Sequence, residues 1–333
     1  MSSPITRRQF VAGTAGLGLV AGCGRLPWQG QPRAKVPRIG FLWHAAPEPM
    51  PEVEAFRGGL RGLGYVEGQN LVVEYRYADE EGEQFPALAA ELVQLPVDVL
   101  VVGSTPGIKA AQQVTGTIPL VMPTSGADPV AQGLVASLAH PGGNLTGLSA
   151  MDPQLSGKRL ELLTQAVSGA KRVAVLMPSN PNDPLRWAET QAAASALSIA
   201  LQALEVRSPD ELAGAFEAAA RERAEALLVV RSPLTHAQLP RIAELAARGR
   251  LPAMYEGRDF VAVGGLMAYG PNQPAMFRRA AAYVDKILKG AKPADLPIEQ
   301  PMTFDFLVNL KTARELGITF PNEIMLQVTE VIE

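Results

Sequence analysis

The stretch VDVLVVGSTPGIKAA, Val97 to Ala111, runs an apolar strand pattern straight into Gly103, Ser104, Thr105 and Pro106 and then into a helical pattern. A glycine and two hydroxyls at such a turn suit a phosphate cradle, a catalytic elbow or a seat for another ligand. A P-loop requires a lysine and a Ser/Thr after its second glycine, and Gly103–Gly107 has neither that spacing nor that lysine. A dinucleotide fingerprint needs three spaced glycines after the first strand, where Trp43, His44 and Ala45 stand instead. A nucleophile elbow needs Gly-x-Ser-x-Gly, which this turn lacks. What remains is a helix cap or an anion seat, and as a seat Gly103 permits close approach, Ser104 and Thr105 offer hydroxyl and N–H groups, and Pro106 starts a helix whose positive end faces the charge. Asp128, on the next loop, then suits an ammonium of the same solute.

The same chemistry recurs along the chain. Ser104-Thr105-Pro106, Asp128-Pro129, Asp183-Pro184 and Ser232-Pro233 each place a hydroxyl or carboxylate before a proline, the pattern of an N-cap with proline in the first helical turn. Such residues act as helix caps, worth about 1 kcal/mol each, or as ligand contacts where free N–H groups face a cleft. Only three histidines occur, His44, His140 and His236, and none has metal-ligand spacing to another. No metal site and no cofactor are expected. No pair of carboxylates stands out for acid–base work. Tyr255 and Tyr269 end apolar runs, where a ring serves either a cleft or a core.

Positioning these residues requires a frame, and the composition allows a large one. The 333 residues are 47% hydrophobic and 19% charged, enough to bury two ordinary cores. Thirty basic against thirty-three acidic residues leave a net charge of −3 without a basic block, which argues against nucleic acid as a partner. From Arg38 onward short apolar runs alternate with helical stripes, the mark of βαβ units. Strands are expected at RIGFLW, LVVEYRY, VDVLVV, PLVM and LTGLS, and then again at RVAVLM, ALEVRS, ALLVV, LPAMY and GLMAY. Helical stripes run through Val53, Phe56, Leu60 and Leu63, through Leu239, Ile242 and Leu245, and through Phe277, Ala280, Val284, Ile287 and Leu288. The last of these should stop at Lys289 and Gly290. The segment 291–333, punctuated by Pro293, Pro297, Pro301 and Pro321, is expected to cross between lobes. In such open sheets, ligands bind beyond the carboxyl ends of the strands.

The amino terminus follows other rules. Arg7 and Arg8 precede a short apolar run ending in Leu19, Val20, Ala21, Gly22 and Cys23, which reads as a signal peptide over residues 1–22. Its end resembles a bacterial lipobox, and TRRQF resembles a twin-arginine signal. Cys23, the only cysteine, would carry lipid, and residues 23–37 would form a tether.

From Arg38 to the C-terminus the chain resembles the ABC-transporter substrate-binding proteins of the tryptophan/tyrosine-binding type. The stretches AFRGGLRGLGYVEGQN, LAAELVQLPVDVLVVGSTP, DPVAQGLVASLAHPGGNLTGLS, GGLMAYGP and YVDKILKGAKPADLPIEQP carry the resemblance. It implies the type 1 periplasmic-binding fold: two doubly wound parallel-sheet lobes joined by a hinge. The expected lobes are 38–150 plus about 272–300, and 151–271 plus about 301–333. It implies a monomeric, exported receptor at the periplasm or cell surface, lipid-anchored through Cys23, that closes over a small solute and hands it to an ABC permease. A sensory receptor and an enzyme on the same frame are the alternatives. By position, the resemblance lines the cleft with Trp43, His44, Ser104, Thr105, Asp128, Asn180, the Ser232 loop, Tyr255 and Tyr269. Arg231 departs from the acidic residue of many relatives. It would favour a more anionic ligand if it faces the cleft, and have no such effect if it faces solvent.

Overall fold

The computed structural model describes residues 35–44, 50–78, 83–179 and 184–333. The signal segment, Cys23, most of the tether and Asn180 lie outside the described residues. The first lobe follows from five short apolar runs that become parallel strands: β1 Arg38–His44, β2 Val72–Ala78, β3 Val99–Val102, β4 Leu120–Met122 and β5 Leu145–Gly147, in the order β2-β1-β3-β4-β5. Between them run helices α1 Pro51–Gly62, α2 Phe85–Gln94 and α3 Thr105–Val114. β3 and β4 are buried at every position, as expected of strands covered by helices on both faces.

The chain then enters a second sheet. Helix α4 Asp152–Ala166 leads to β6 Arg172–Pro178, α5 Pro184–Leu197, β7 Ala200–Val206, α6 Glu211–Arg221 and β8 Ala226–Val229. The short α7 Pro233–Ala237, α8 Leu239–Arg248, β9 Ala253–Tyr255, α9 Arg258–Ala262 and β10 Met267–Pro271 follow. Helix α10 Gln273–Leu288 returns to the first lobe, where it packs along α1. That close packing depends on Gly59, since a Cβ there would sit 2.7 Å from the Arg278 carbonyl oxygen and 2.8 Å from the Ala281 methyl. The last elements, β11 Phe304–Asn309, α11 Leu310–Leu316, α12 Asn322–Met325 and β12 Glu330–Ile332, rejoin the second sheet, whose order is β12-β11-β10-β9-β8-β6-β7.

Three expectations are corrected here. The second sheet is not purely parallel, because β10 and β11 pair antiparallel, Tyr269 opposite Phe306. The proline-punctuated tail contributes two strands besides its crossing. Leu63 is 41% exposed rather than part of the buried stripe, since α1 ends one residue earlier. The helix over Phe277 and Val284 does stop at Lys289, with Gly290 at φ 100°.

The crossings between the lobes are tied to one another. Ser149 N donates to Glu299 O at 3.0 Å, and Asn272 N donates to Thr303 O at 3.1 Å. Three adjacent, hydrogen-bonded crossings make a hinge that can bend while the two cores stay intact.

Candidate functional site

Strand β1 ends in Trp43 and His44, and its neighbour β3 ends in Val102 with Gly103 next. The parallel register pairs Leu42 with Val102, so Trp43 and Gly103 follow side by side. The Trp43 indole lies over Gly103, where any Cβ would fall inside the ring. Gly103 thus makes room for a side chain of its own protein, not for a ligand. The indole also meets Phe277 edge-on at 4.9 Å and the His44 ring at 4.4 Å, and it is only 5% exposed.

These two residues open onto a cavity of about 280 Å³ whose wall comes from both lobes. The first lobe supplies Trp43 and His44 with Met50, Pro51 and Glu52 at the start of α1. The second supplies Arg231, His236, Glu256 and Asp259 from the segments after β8 and β9, and Ala268 and Gly270 from β10. Two buried nitrogens, Trp43 Nε1 and His44 Nδ1, have no hydrogen-bond partner. Burial, reinforced by Arg231 and His236 nearby and only partly opposed by Asp259, pushes His44 down from 6.5 to about 3. At neutral pH its ring is therefore uncharged.

Opposite His44, at 6.1 Å between ring centroids, stands His236. Its Nε2 lies 3.0 Å from Asp259, which Arg231 also reaches at 3.1 Å. Burial works to raise the Asp259 carboxyl, but Arg231 and His236 together hold it well below the ordinary carboxylate range. Arg231 thus faces the cavity with its charge already met by Asp259, which removes its expected pull on a ligand anion.

A buried ionic network backs the cavity. Arg159, fully buried, donates to Asp152 at 3.1 Å and to Glu256 at 3.0 Å, and its Nε donates to the Tyr269 carbonyl at 2.8 Å. Arg186 reaches both oxygens of Glu256 at 2.9 Å and extends to the Gly126 carbonyl of the first lobe at 3.4 Å. Two guanidiniums and two carboxylates compensate one another, which is what permits four charges at such depth. Among the described residues no cluster of three His, Cys, Asp or Glu is arranged to hold a metal.

Of the residues expected to line the cleft, Trp43 and His44 line this cavity, as does Arg231, whereas Ser104, Thr105, Asp128, Ser232, Tyr255 and Tyr269 do not. Ser104, at φ 65°, accepts from Gly107 N at 3.4 Å as the cap of α3. Thr105 Oγ1 is 3.1 Å from Ser125 Oγ. Asp128 accepts from Val130 N at 2.8 Å and Ala131 N at 3.0 Å. Ser232 forms a capping box with Thr235.

The tyrosines need a firmer correction. Tyr255 is fully buried, stacked on Phe260 at 4.6 Å in the core of the second lobe, and its hydroxyl has no partner. Burial raises that hydroxyl far above its ordinary range. Tyr269 stacks on Phe304 at 5.8 Å and meets Phe306 edge-on. Side chains alternate across a strand, so Tyr269 faces away while Ala268 and Gly270 face the cavity. By the same alternation the residue after Tyr255, Glu256, is the one presented. Glu52, His236, Glu256 and Asp259 were missed as wall residues, and the strand-end rule that pointed to Tyr255 was one residue short of Glu256.

Comparison with known proteins agrees with this architecture. The tyrosine-binding protein of Clostridioides difficile (strain R20291) is 24% identical over 266 residues, covering 80% of this chain and 76% of that protein. The ABC domain in complex with L-Trp from Streptococcus pneumoniae superposes with a TM-score of 0.81 at 25% identity, covering 89% of this chain and 99% of that one. The ligand-free, open structure of a substrate-binding protein with adhesive properties from Clostridium difficile gives 0.67 at 24% identity, covering 89% and 99%. The family model described as ABC transporter substrate binding protein matches residues 45–332. The chain therefore belongs to the ABC transporter substrate-binding protein family.

Proposed function

We propose that this protein is the extracytoplasmic solute-binding component of an ABC import system. It closes two lobes, 38–150 with about 272–300 and 151–271 with about 301–333, over a small solute of amino-acid type or a related carboxylate. A membrane permease then receives that solute. The observation that carries the reading is the cavity of about 280 Å³, walled by strand ends of both lobes and holding buried nitrogens that lack partners. Its size lies just below the usual range of ligand pockets, about 300 to 1,000 Å³. A ligand bridging both walls supplies the differential affinity that shifts an open population toward the closed one.

The relatives, a tyrosine-binding protein and a complex with L-Trp, support an aromatic amino acid as the solute. The lobes superpose better on that complex than on the ligand-free open form, which supports the described arrangement as the closed one. No helix among the described residues is long and apolar enough to cross a membrane. Attachment would come instead from lipid on Cys23 behind Leu19-Val20-Ala21-Gly22.

Native mass spectrometry of protein purified without refolding, together with melting curves in the presence of each of the twenty amino acids, tests the reading. A co-purified amino acid, or a marked rise in Tm with L-tryptophan or L-tyrosine, is expected. An empty protein that responds to none of the twenty overturns it. Cys23→Ser is expected to release the protein from the membrane with solute binding unchanged.

A further inference from the structure

The polar groups around the cavity are almost fully spent on one another. Arg231 and His236 share Asp259 at 3.1 and 3.0 Å. Glu256 is held by Arg159 and Arg186 at 3.0 and 2.9 Å. Arg258 is paired with Glu330, and Asp305 accepts from Asn272 Nδ2 at 3.0 Å.

Asp259 Oδ2, though ion-paired to Arg231 and His236, has no hydrogen-bond partner, and four further wall groups have neither kind of partner among the described residues. The Trp43 indole N–H, on a side chain 95% buried, has no acceptor, and His44 Nδ1 beside it is likewise unpartnered. An indole nitrogen can only donate, and buried donors without acceptors are rare enough that each calls for a partner. The Glu52 carboxylate, half-buried in the first turn of α1, has no ion-pair or hydrogen-bond partner among the described residues. Gln273, also in the wall, carries both a donor and an acceptor and favours neither charge.

From this remainder we infer that Trp43 and Glu52 form the head-group seat of the cavity. The indole N–H, with His44 alongside, receives a carboxylate oxygen of the ligand, and Glu52 receives its ammonium. The inference rests on the cavity being the solute site, and it assigns the ligand class as a small zwitterion. It moves both roles away from Thr105 and Asp128, whose polar atoms are already bonded within the first lobe. Both seats belong to the first lobe, so the zwitterionic head binds there before closure, and the second lobe covers the remainder of the ligand.

The test uses three probes and the full-length mature chain: L-tryptophan, tryptamine, which lacks the carboxylate, and indole-3-propionate, which lacks the ammonium. If L-tryptophan does not bind, the best binder among the twenty amino acids and its own amine and acid analogues replace the set. Affinities are measured by calorimetry for the wild type and for Trp43→Phe, Glu52→Gln and Asp128→Asn. Trp43→Phe should shrink the preference for L-tryptophan over tryptamine about tenfold, the loss of one hydrogen bond to a charged group. Glu52→Gln should shrink the preference over indole-3-propionate by about the same factor. Asp128→Asn should leave both preferences intact. Each readout is a ratio within one variant, so a variant that folds less well still reports on it.

Unchanged ratios in Trp43→Phe and Glu52→Gln overturn the seat while leaving the solute-binding reading standing. Loss of the ammonium preference in Asp128→Asn also overturns it, by returning that role to the loop after β4. A protein that binds none of the twenty amino acids fails at the earlier step and takes the seat with it.

Discussion

At the carboxyl edge of the first sheet, β1 and β3 end side by side and spend their polar groups in opposite ways. The turn after β3 looks inward: Ser104 caps α3, Thr105 pairs with Ser125, and Gly103 is filled by the Trp43 ring. The end of β1 leaves the nitrogens of Trp43 and His44 buried and unpaired against a cavity. A hydroxyl-rich turn before a proline therefore does not mark a ligand seat by itself. The mark is a buried donor without an acceptor that also borders the cavity, which the equally unpartnered Tyr255 hydroxyl does not. The second lobe repeats the contrast, since Glu256 faces the cavity yet is held by Arg159 and Arg186.

The largest effect expected from this contrast is on the satisfied side. Arg159→Met leaves Asp152 and Glu256 with one buried cation between them and should lower unfolding stability by about 3–5 kcal/mol. Chemical denaturation measures this. If Arg159→Met costs less than 1 kcal/mol, the network is not a structural support, and the division between spent and unspent groups fails.

The unsatisfied side should show itself in pH. His44 falls to about 3 in the described arrangement, chiefly through burial, and should return toward 6.5 once the lobes part and water reaches it. Protons then bind the open form preferentially. Affinity is complete above about pH 6.5 and weakens as pH falls below it, by less than about tenfold per unit because the ligand carboxylate seated beside His44 draws its pKa back up. Titration calorimetry from pH 7.5 to 4.5 reads the slope, and His44→Gln should flatten it. A wild-type affinity constant across that range would contradict burial of His44 by closure.

Smaller effects belong to the capped turn. Thr105→Val removes the contact to Ser125 and should cost about 1 kcal/mol in stability with solute affinity unchanged. A tenfold loss of affinity without a stability change would restore this turn as the ligand seat. The smallest effect is expected from Tyr255→Phe, which deletes a buried hydroxyl that has no partner. Stability should stay within about 1 kcal/mol of the wild type, or rise, because an unpaired polar group is removed. A marked loss of affinity in Tyr255→Phe would place that hydroxyl in the site.

Much of the frame was legible because it rests on local periodicity. The apolar runs at Val99–Val102 and Ala226–Val229 are buried at every position, and Val53, Phe56 and Leu60 face the core at helical spacing. β11 and β12 escaped notice because Pro301 and Pro321 flank them in a segment read only as a crossing. β11 also pairs antiparallel to β10, which no local pattern announces. The candidate site was half legible. Trp43 and His44 stand at a strand end, where ligands gather in open sheets, whereas Glu52 and Asp259 look like ordinary acidic residues in the first turns of helices.

What the sequence by itself determined is the succession of strands and capped helices as far as β10, the proline-started helix N-termini and the family. All of these follow from residues within a few positions of one another, where propensity and spacing act directly. Tertiary structure decided which side chain at each strand end meets the cavity. Successive residues of a strand point to opposite faces, and only sheet packing says which face is the core, so Tyr255 is buried while Glu256 is presented. It also decided which charges remain for a ligand, because Arg159 and Glu256 neutralise each other across 97 residues. Whether a charge is spent depends on distances that exist only after the chain has folded.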